Sequence, residues 1–335
     1  MKIIATIGPK SMDKWIIKEL IDNGVNIIRF NCSHFNEEEF LNVIEYTRNI
    51  NSDVKILMDL CGKKVRVSKK LQYIYKIYNN QEVYFCGEDY YESIDKDKYE
   101  NKKVIPLNIN SKAIINSNIT SISMKDNTMT FEIVSIKYGV IRAKVLKGGI
   151  IRGGKGCNLS ELVKNNDSLT VDDKRNIEWS IKNDIDIICQ SFVEEKEEIE
   201  VIRDILYKNN NKKIELWAKV ETPKGINNLE DILKVTNTIL IGRGDLVPES
   251  GSIKAIELQE RSIQIVKSSN KEILIGTHLL NSMKNGHSAT VPEIEGIYNF
   301  IKKGIDGFLL AGETSIGKAP VETVKFLSEL IKQYN

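Results

Sequence analysis

Histidine, tryptophan and proline are scarce in this 335-residue sequence, with three, three and six copies. The three histidines and five cysteines (Cys32, Cys61, Cys86, Cys157, Cys189) form no CxxC pair and no Cys/His ligand spacing, which argues against a zinc site. An odd cysteine count also argues against a disulfide framework, so a reducing, cytoplasmic setting is expected. No apolar run approaches the roughly 18 residues that span a bilayer. The opening MKIIATIGPK lacks a basic head followed by a long apolar stretch, so the chain is expected to be soluble and unprocessed, with no membrane partner. Charge of one sign is missing too: 48 basic residues nearly cancel 46 acidic ones, leaving +2. No global field would attract nucleic acid, and any anion site must be local.

What is present is a rhythm. Short β-rich runs alternate with stretches of helical period, the pattern of βα units around a parallel sheet. The strands read KIIATIG from Lys2, NIIRFNC from Asn26, KILMDL from Lys55, DIIC with QSF from Asp186, IELWAKV from Ile214, TILIGR from Thr238, EILIGT from Glu272 and GFLLAG from Gly307. Helices are expected at Met12 to Asn23, Asn36 to Asn49, Asp172 to Asn183 and Pro320 to Gln333, among others. Pro292 and Pro320 sit where proline suits a first helical turn. Eight strand and helix pairs are the number that closes a TIM barrel, whereas open doubly wound sheets usually have fewer. The expected fold is therefore an α/β TIM (β/α)8 barrel, interrupted after its third strand by a small all-β domain.

The interruption covers about ninety residues, where QEVYFC, TMTFEIV and GVIRAKVL alternate apolar with polar. Turn signals stand at Asn79-Asn80, Asp126-Asn127 and Gly148-Gly149. The expected division is residues 1–63 and 155–335 for the barrel and 64–154 for an inserted β-domain. A structureless loop of that length would be unusual in a compact protein.

Barrel chemistry sits at the C-terminal ends of the strands. Those ends carry Arg29, Asn31, Ser33, His34, Asp59, Ser191, Lys219, Glu221, Arg243, Asp245, Thr277, His278 and Glu313. A purely structural rim would use Gly, Asn, Asp and Ser for turns without gathering cations and carboxylates. Glu221 and Asp245, on adjacent strands, offer two hard oxygen ligands of the kind that hold Mg2+ (or Mn2+) when substrate phosphate completes the shell. Lys219 shares the face of Glu221 two residues on and suits a migrating phosphoryl group. The structural alternative is a buried Lys/Glu ion pair. In GRGDL, Gly242 and Gly244 leave backbone N–H groups for an anion.

Taken together, TIGP from Thr6, RFNCSH from Arg29, MDLCGKKVR from Met58, KGCNLS from Lys155, LTVDDK from Leu169, SFV from Ser191, AKVETPKGINN from Ala218, GRGDL from Gly242, GTHLLNSM from Gly276 and AGETSIGKAP from Ala311 resemble, in order, the signatures of the pyruvate kinase family. The resemblance implies a barrel with a mobile β-domain and transfer of a phosphoryl group from phosphoenolpyruvate to ADP, giving pyruvate and ATP, a step of glycolysis. By position, Lys219 would stabilise the migrating group, with Arg29 and Thr277 also catalytic, and Glu221 and Asp245 would hold the divalent ion. The substrate would be bound by Ser191, by the Gly244 and Asp245 amides and by the Thr277 hydroxyl. Arg29, Lys155 and Arg66 would clamp nucleotide phosphates, with Pro9, His34 and Asp126 nearby.

The family's monovalent-cation site maps to Asn31, Ser33, Asp59 and Leu60, the last replacing the usual threonine. Lys64 occupies the position held by lysine in potassium-independent members, so its ammonium would stand in for K+. Cys61 replaces a rim lysine, and Ala311 replaces the serine of the relay thought to protonate enolpyruvate. The chain ends soon after the eighth helix, so the resemblance implies that the C-terminal regulatory domain is absent and that any homo-oligomer forms through the barrel. Two other readings stay open: a specialised paralogue acting on phosphoenolpyruvate or another enol phosphate in a separate pathway, and a nucleotide-binding pseudoenzyme.

Overall fold

The computed structural model describes residues 1–93, 99, 102–124, 128–160, 162 and 169–335. The chain divides into two compact units, Met1–Gly62 with Ser168–Leu246 and Ser250–Asn335, and Lys63–Asp167 with Val247–Glu249.

The first unit is a closed barrel of eight strands: Lys2–Thr6, Ile27–Asn31, Lys55–Asp59, Ile187–Gln190, Glu215–Val220, Thr238–Gly242, Glu272–Gly276 and Gly307–Leu310. Each strand pairs in parallel with its sequence neighbours, and the first closes on the last through Lys2↔Gly307 to Ala5↔Leu310. The strands are apolar on both faces, as expected when helices cover the outside and side chains fill the inside. Ile4, Ile27, Leu57, Ile187, Cys189, Trp217, Leu240, Leu274 and Leu309 form the interior cluster, so every strand contributes. Trp217, 1 % exposed, is the largest of them.

Helix starts follow local chemistry. Asp13, Asn36, Thr170 and Thr222 each accept a hydrogen bond from a backbone N–H of the first turn, satisfying donors that a helix start leaves open. Thr290 and Glu293 make a reciprocal capping box, with Pro292 in the first turn. No helix among the described residues is long and apolar enough to cross a membrane.

The second unit is a six-stranded sheet in the order Cys157–Leu159, Ser121–Met124, Met129–Lys137, Val140–Lys147, Glu82–Gly87 and Lys103–Leu107, with a two-stranded ribbon of Tyr75–Ile77 and Gly149–Ile151. Its core includes Val83, Phe85, Ile105, Ile122, Phe131, Ile141 and Val145. The unit runs past the expected boundary at 154, because Cys157–Leu159 pairs antiparallel with Ser121–Met124 and both Cys157 and Leu159 join that core. Three residues are too short for period-2 alternation to be legible in sequence. The turn at Asn79-Asn80 is present, with Asn80 at φ 68 and Asn79 Oδ1 accepting from Gly148 N. Asp126 and Asn127 lie outside the described residues.

Candidate active site

Side chains on a strand alternate between faces, so the interior cluster determines what lies at the barrel mouth. Two residues beyond Ile4, Ile27, Leu57, Cys189 and Trp217, in the same inward columns, stand Thr6, Arg29, Asp59, Ser191 and Lys219. Two beyond Leu240, Leu274 and Leu309 stand Gly242, Gly276 and Ala311. An apolar layer is thus topped by a layer that is polar over five strands, three of them charged, and small over three.

Asp59 organises the charged half. It is 1 % exposed, and both its oxygens are occupied. Oδ2 accepts from Arg29 Nε at 2.8 Å, Arg29 Nη2 at 2.5 Å and Lys219 Nζ at 2.7 Å. Oδ1 accepts from Lys219 Nζ at 2.9 Å and Ser191 Oγ at 2.7 Å. Arg29 Nη1 donates to Thr6 Oγ1 at 2.7 Å, and that hydroxyl donates to Leu310 O. Burial by itself would raise the Asp59 carboxyl, but the Lys219 and Arg29 cations and their hydrogen bonds outweigh it and hold it at about 2. For Lys219 the balance runs the other way. Burial lowers its ammonium, and Asp59 and then Glu221 raise it, with a net rise above the usual lysine range. Lys219 is therefore a fixed cation at any physiological pH.

Glu221 extends the chain of charge. Its Oε1 lies 3.8 Å from Lys219 Nζ, and its Oε2 accepts from Phe192 N at 3.2 Å. Phe192 has φ 56, which turns its N–H toward the carboxylate. Gly242, on the neighbouring strand, makes room: a Cβ there would lie 2.4 Å from Glu221 Oε1. Gly62 is constrained the same way, with φ 60 and a would-be Cβ 2.1 Å from Ser191 O.

The helix Arg243–Ser250 begins directly after the sixth strand and carries Asp245 in its first turn. Gly244 N donates to Thr277 Oγ1 at 2.7 Å, which in turn donates to Gly276 O at 2.6 Å. Glu221 and Asp245 are hard oxygen donors suited to Mg2+ or Mn2+, and the space above Gly242 is already taken by the Glu221 carboxylate rather than by a side chain of its own. Among the described residues, no group of three or more His, Cys, Asp and Glu is gathered to hold a metal. An ion on these two carboxylates would draw its remaining ligands from water or substrate, the usual habit of Mg2+.

The family model for the pyruvate kinase barrel domain matches residues 1–324. The chain belongs to the pyruvate kinase family. It is 30 % identical to the pyruvate kinase of Thermoplasma acidophilum over 329 residues, covering 98 % of this chain and 57 % of that protein. It is 28 % identical to the pyruvate kinase of Thermotoga maritima, over 99 % of this chain and 70 % of the relative, and 30 % identical to that of Kluyveromyces lactis, over 98 % and 66 %. The chain thus spans a little over half to about two thirds of the length of these relatives.

Against the family's pattern, the barrel joins Arg29, Asp59, Ser191 and Lys219 by hydrogen bonds, brings Glu221 within ion-pair distance of Lys219 and sets Gly244 against Thr277. Asp59, expected among the monovalent-cation oxygens, is instead wrapped by two side-chain cations and a hydroxyl. Asn31 Oδ1 accepts from Ser33 N, Ser33 Oγ lies 3.5 Å from Cys61 Sγ, and Leu60 is buried. The Gly244 amide, expected to meet a substrate carboxylate, is engaged by the Thr277 hydroxyl. Pro9 and His34 are exposed, in the loop after the first strand and the single turn Cys32–His34 after the second. Lys64, Arg66 and Lys155 belong to the second unit, where Arg66 Nη1 donates to Gly154 O and Lys155 Nζ to Ile150 O. The expected contact Asp126 lies outside the described residues. Sequence reasoning missed Thr6 and Phe192 as partners of Arg29 and Glu221. The inward parity of Thr6 with Ile4 was the available signal for the first, and none was available for the positive φ of the second.

Proposed function

We propose that this chain transfers the phosphoryl group of phosphoenolpyruvate to ADP. The observation that carries the reading is the chain of buried Arg29, Asp59 and Glu221 with partly buried Lys219 at the C-terminal mouth of the barrel, beside the Asp245 helix start. In the reaction the bond from phosphorus to the enol oxygen breaks, a bond from phosphorus to a β-phosphate oxygen of ADP forms, and the enolate takes a proton at C3 to give pyruvate. Lys219, pinned by both oxygens of Asp59, presents a preorganised positive charge to the group in transit. Arg29, braced by Thr6 and Asp59, supplies a second. A carboxylate of the substrate would separate the paired Gly244 N–H and Thr277 O–H by accepting from both. Mg2+ or Mn2+ on Glu221 and Asp245 would supply Lewis-acid neutralisation of phosphoryl and enolate oxygens. The direct test couples pyruvate formation from phosphoenolpyruvate and ADP to lactate dehydrogenase. Turnover that requires both substrates and stops on chelation of divalent ions supports the reading, and its absence at any divalent concentration overturns it.

Potassium is not expected to be needed. Asp59 and Glu221 carry two negative charges against two positive ones on Lys219 and Arg29, so these buried groups already balance without an added monovalent ion. Lys64 provides a further fixed cation in the second unit. Initial rates in potassium-free, tetramethylammonium buffer should stay within about twofold of those with potassium, and Lys64→Glu should create a potassium requirement. Many-fold activation of the parent by potassium contradicts this.

A second reading has one specific observation behind it. Ala311, at the inward end of the eighth strand's column, offers no hydroxyl, and its backbone N–H is bonded to Glu313 Oε2 at 2.9 Å. Protonation of the enolate would then lag behind phosphoryl transfer, as suits an enzyme that passes its enol product on. Exchange of the C3 protons of pyruvate with solvent should be slow relative to phosphoryl transfer, and Ala311→Ser should raise it about tenfold or more, within the usual contribution of a positioned acid or base. Fast exchange in the parent excludes the second reading.

A further inference from the structure

Thr277 and His278 are consecutive non-glycine residues in the left-handed region, with φ 65 and φ 52. Backbone of this kind is costly for any residue with a Cβ, and a β-branched threonine is especially unsuited to it. Strain of this kind persists only where the surroundings over-determine it, and here one side chain does so. Arg243 Nε donates to Thr277 O at 3.1 Å, and Arg243 Nη2 donates both to Thr277 O and to His278 O, the latter at 2.7 Å. The guanidinium rests over the Phe300 ring at 5.2 Å, and Phe300 is itself 6 % exposed and packed edge-on to Phe308 of the eighth strand. The Phe300 ring on one side and forked donation to two carbonyls define the guanidinium's position in a way an ammonium cannot.

The consequence lies one bond away. With both carbonyls held, the Thr277 side chain is directed at Gly244, and its Oγ1 receives the Gly244 N–H at 2.7 Å. Gly244 adjoins Arg243 in sequence, so the loop after the seventh strand and the helix start after the sixth are tied twice, once through a side chain and once through backbone.

We infer that Arg243 is a positioning residue: it holds the Thr277–His278 turn in its left-handed form and so keeps the Thr277 hydroxyl on the Gly244 amide at the mouth of the barrel. The inference rests on the proposed activity for its functional consequence but not for its structural core. The hydroxyl and the amide are then held as a pair, with Gly244 N–H donating to Thr277 Oγ1, and their spacing depends on a guanidinium that is bonded to the two carbonyls of the turn.

The test combines two readouts. The first needs no turnover: amide hydrogen exchange at Gly244 should accelerate about tenfold or more in Arg243→Met and equally in Thr277→Val, while amides of the barrel strands, such as that of Leu274, keep their protection. Arg243→Lys, which can reach one carbonyl but cannot fork, should fall between parent and Met. Unchanged exchange at Gly244 in Arg243→Met overturns the inference whatever the activity, and so does loss of protection throughout the barrel, since that reports a general structural role. The second readout is a double-mutant cycle on pyruvate formation. Arg243→Met should lower kcat at least tenfold in the parent and far less in the Thr277→Val background, because the arginine acts through that hydroxyl. Additive effects overturn it. If the parent forms no pyruvate at all, the proposed activity fails while the exchange result still decides the role of Arg243.

Discussion

Lys219→Met is expected to slow phosphoryl transfer by about 10²–10³-fold or more while changing substrate affinity far less, the loss expected when a preorganised charge of about 3 kcal/mol is removed from the transition state. Lys219 is the one ammonium at the end of the inward column that begins with Trp217, and it is anchored by two bonds to Asp59 at 2.7 and 2.9 Å. Its charge is therefore in place before substrate arrives, and no reorganisation is needed during reaction. Methionine keeps the length and apolar stem without the charge. The measurement is kcat and KM for phosphoenolpyruvate in the coupled assay, with the thermal midpoint recorded alongside. A variant with intact kcat and weakened binding would mean that Lys219 binds the ground state and does not stabilise the transfer.

Asp59→Asn is expected to destabilise the fold by about 3–5 kcal/mol at neutral pH, because it leaves buried Arg29 and partly buried Lys219 without their shared counter-charge. The pH dependence follows from the folded carboxyl at about 2 against an ordinary aspartate value of 3.8. A depressed carboxyl binds its proton more weakly in the folded chain than in the unfolded one, so its contribution is fully present above about pH 5. It is lost as pH falls through 4 toward 2. That component amounts to about 2 kcal/mol. Urea unfolding of parent and variant at a series of pH values from 7 down to 3 should therefore show the stability difference narrowing by about 1 kcal/mol at the acid end, without closing. A stability difference that stays flat over this range, or an Asn variant as stable as the parent at pH 7, contradicts the assignment of Asp59 as the hub. Activity should fall as well, since Lys219 loses its charged acceptor and gains freedom to swing.

Both expectations turn on a residue whose role was only partly legible in the sequence. Asp59 could be read as a strand-end carboxylate and, by resemblance, as a cation ligand alongside Asn31 and Ser33. Its bonds to Lys219 cross 160 positions of chain. They exist because the third strand pairs with the fourth through Leu57↔Ile187 and the fourth with the fifth through Cys189↔Trp217. Glu221, Asp245 and Lys219 were readable because their spacing is local: i and i+2 on one strand, and a carboxylate just after a glycine pair. Thr277 was readable from its motif, but its left-handed backbone and its dependence on Arg243 were not, since neither leaves a compositional trace.

The amino-acid sequence by itself determined the alternation of strands and helices, their number, the place of the β-rich interruption and the chemical types at the strand ends. These are properties of short windows, in which hydrophobic period, caps and turn residues act over a few positions. Closure of the barrel decided the rest. Parallel pairing in register stacks the inward columns of eight separate strands, so Arg29, Asp59, Ser191 and Lys219 become neighbours only when the second to fifth strands pair side by side and curve into the barrel wall. Their charges then interact in a buried site where Coulomb energies are several times larger than in water, and a carboxyl that would titrate near 4 in an open chain is held near 2. No local window contains that energy, because it belongs to distances between residues that the chain keeps far apart until it folds.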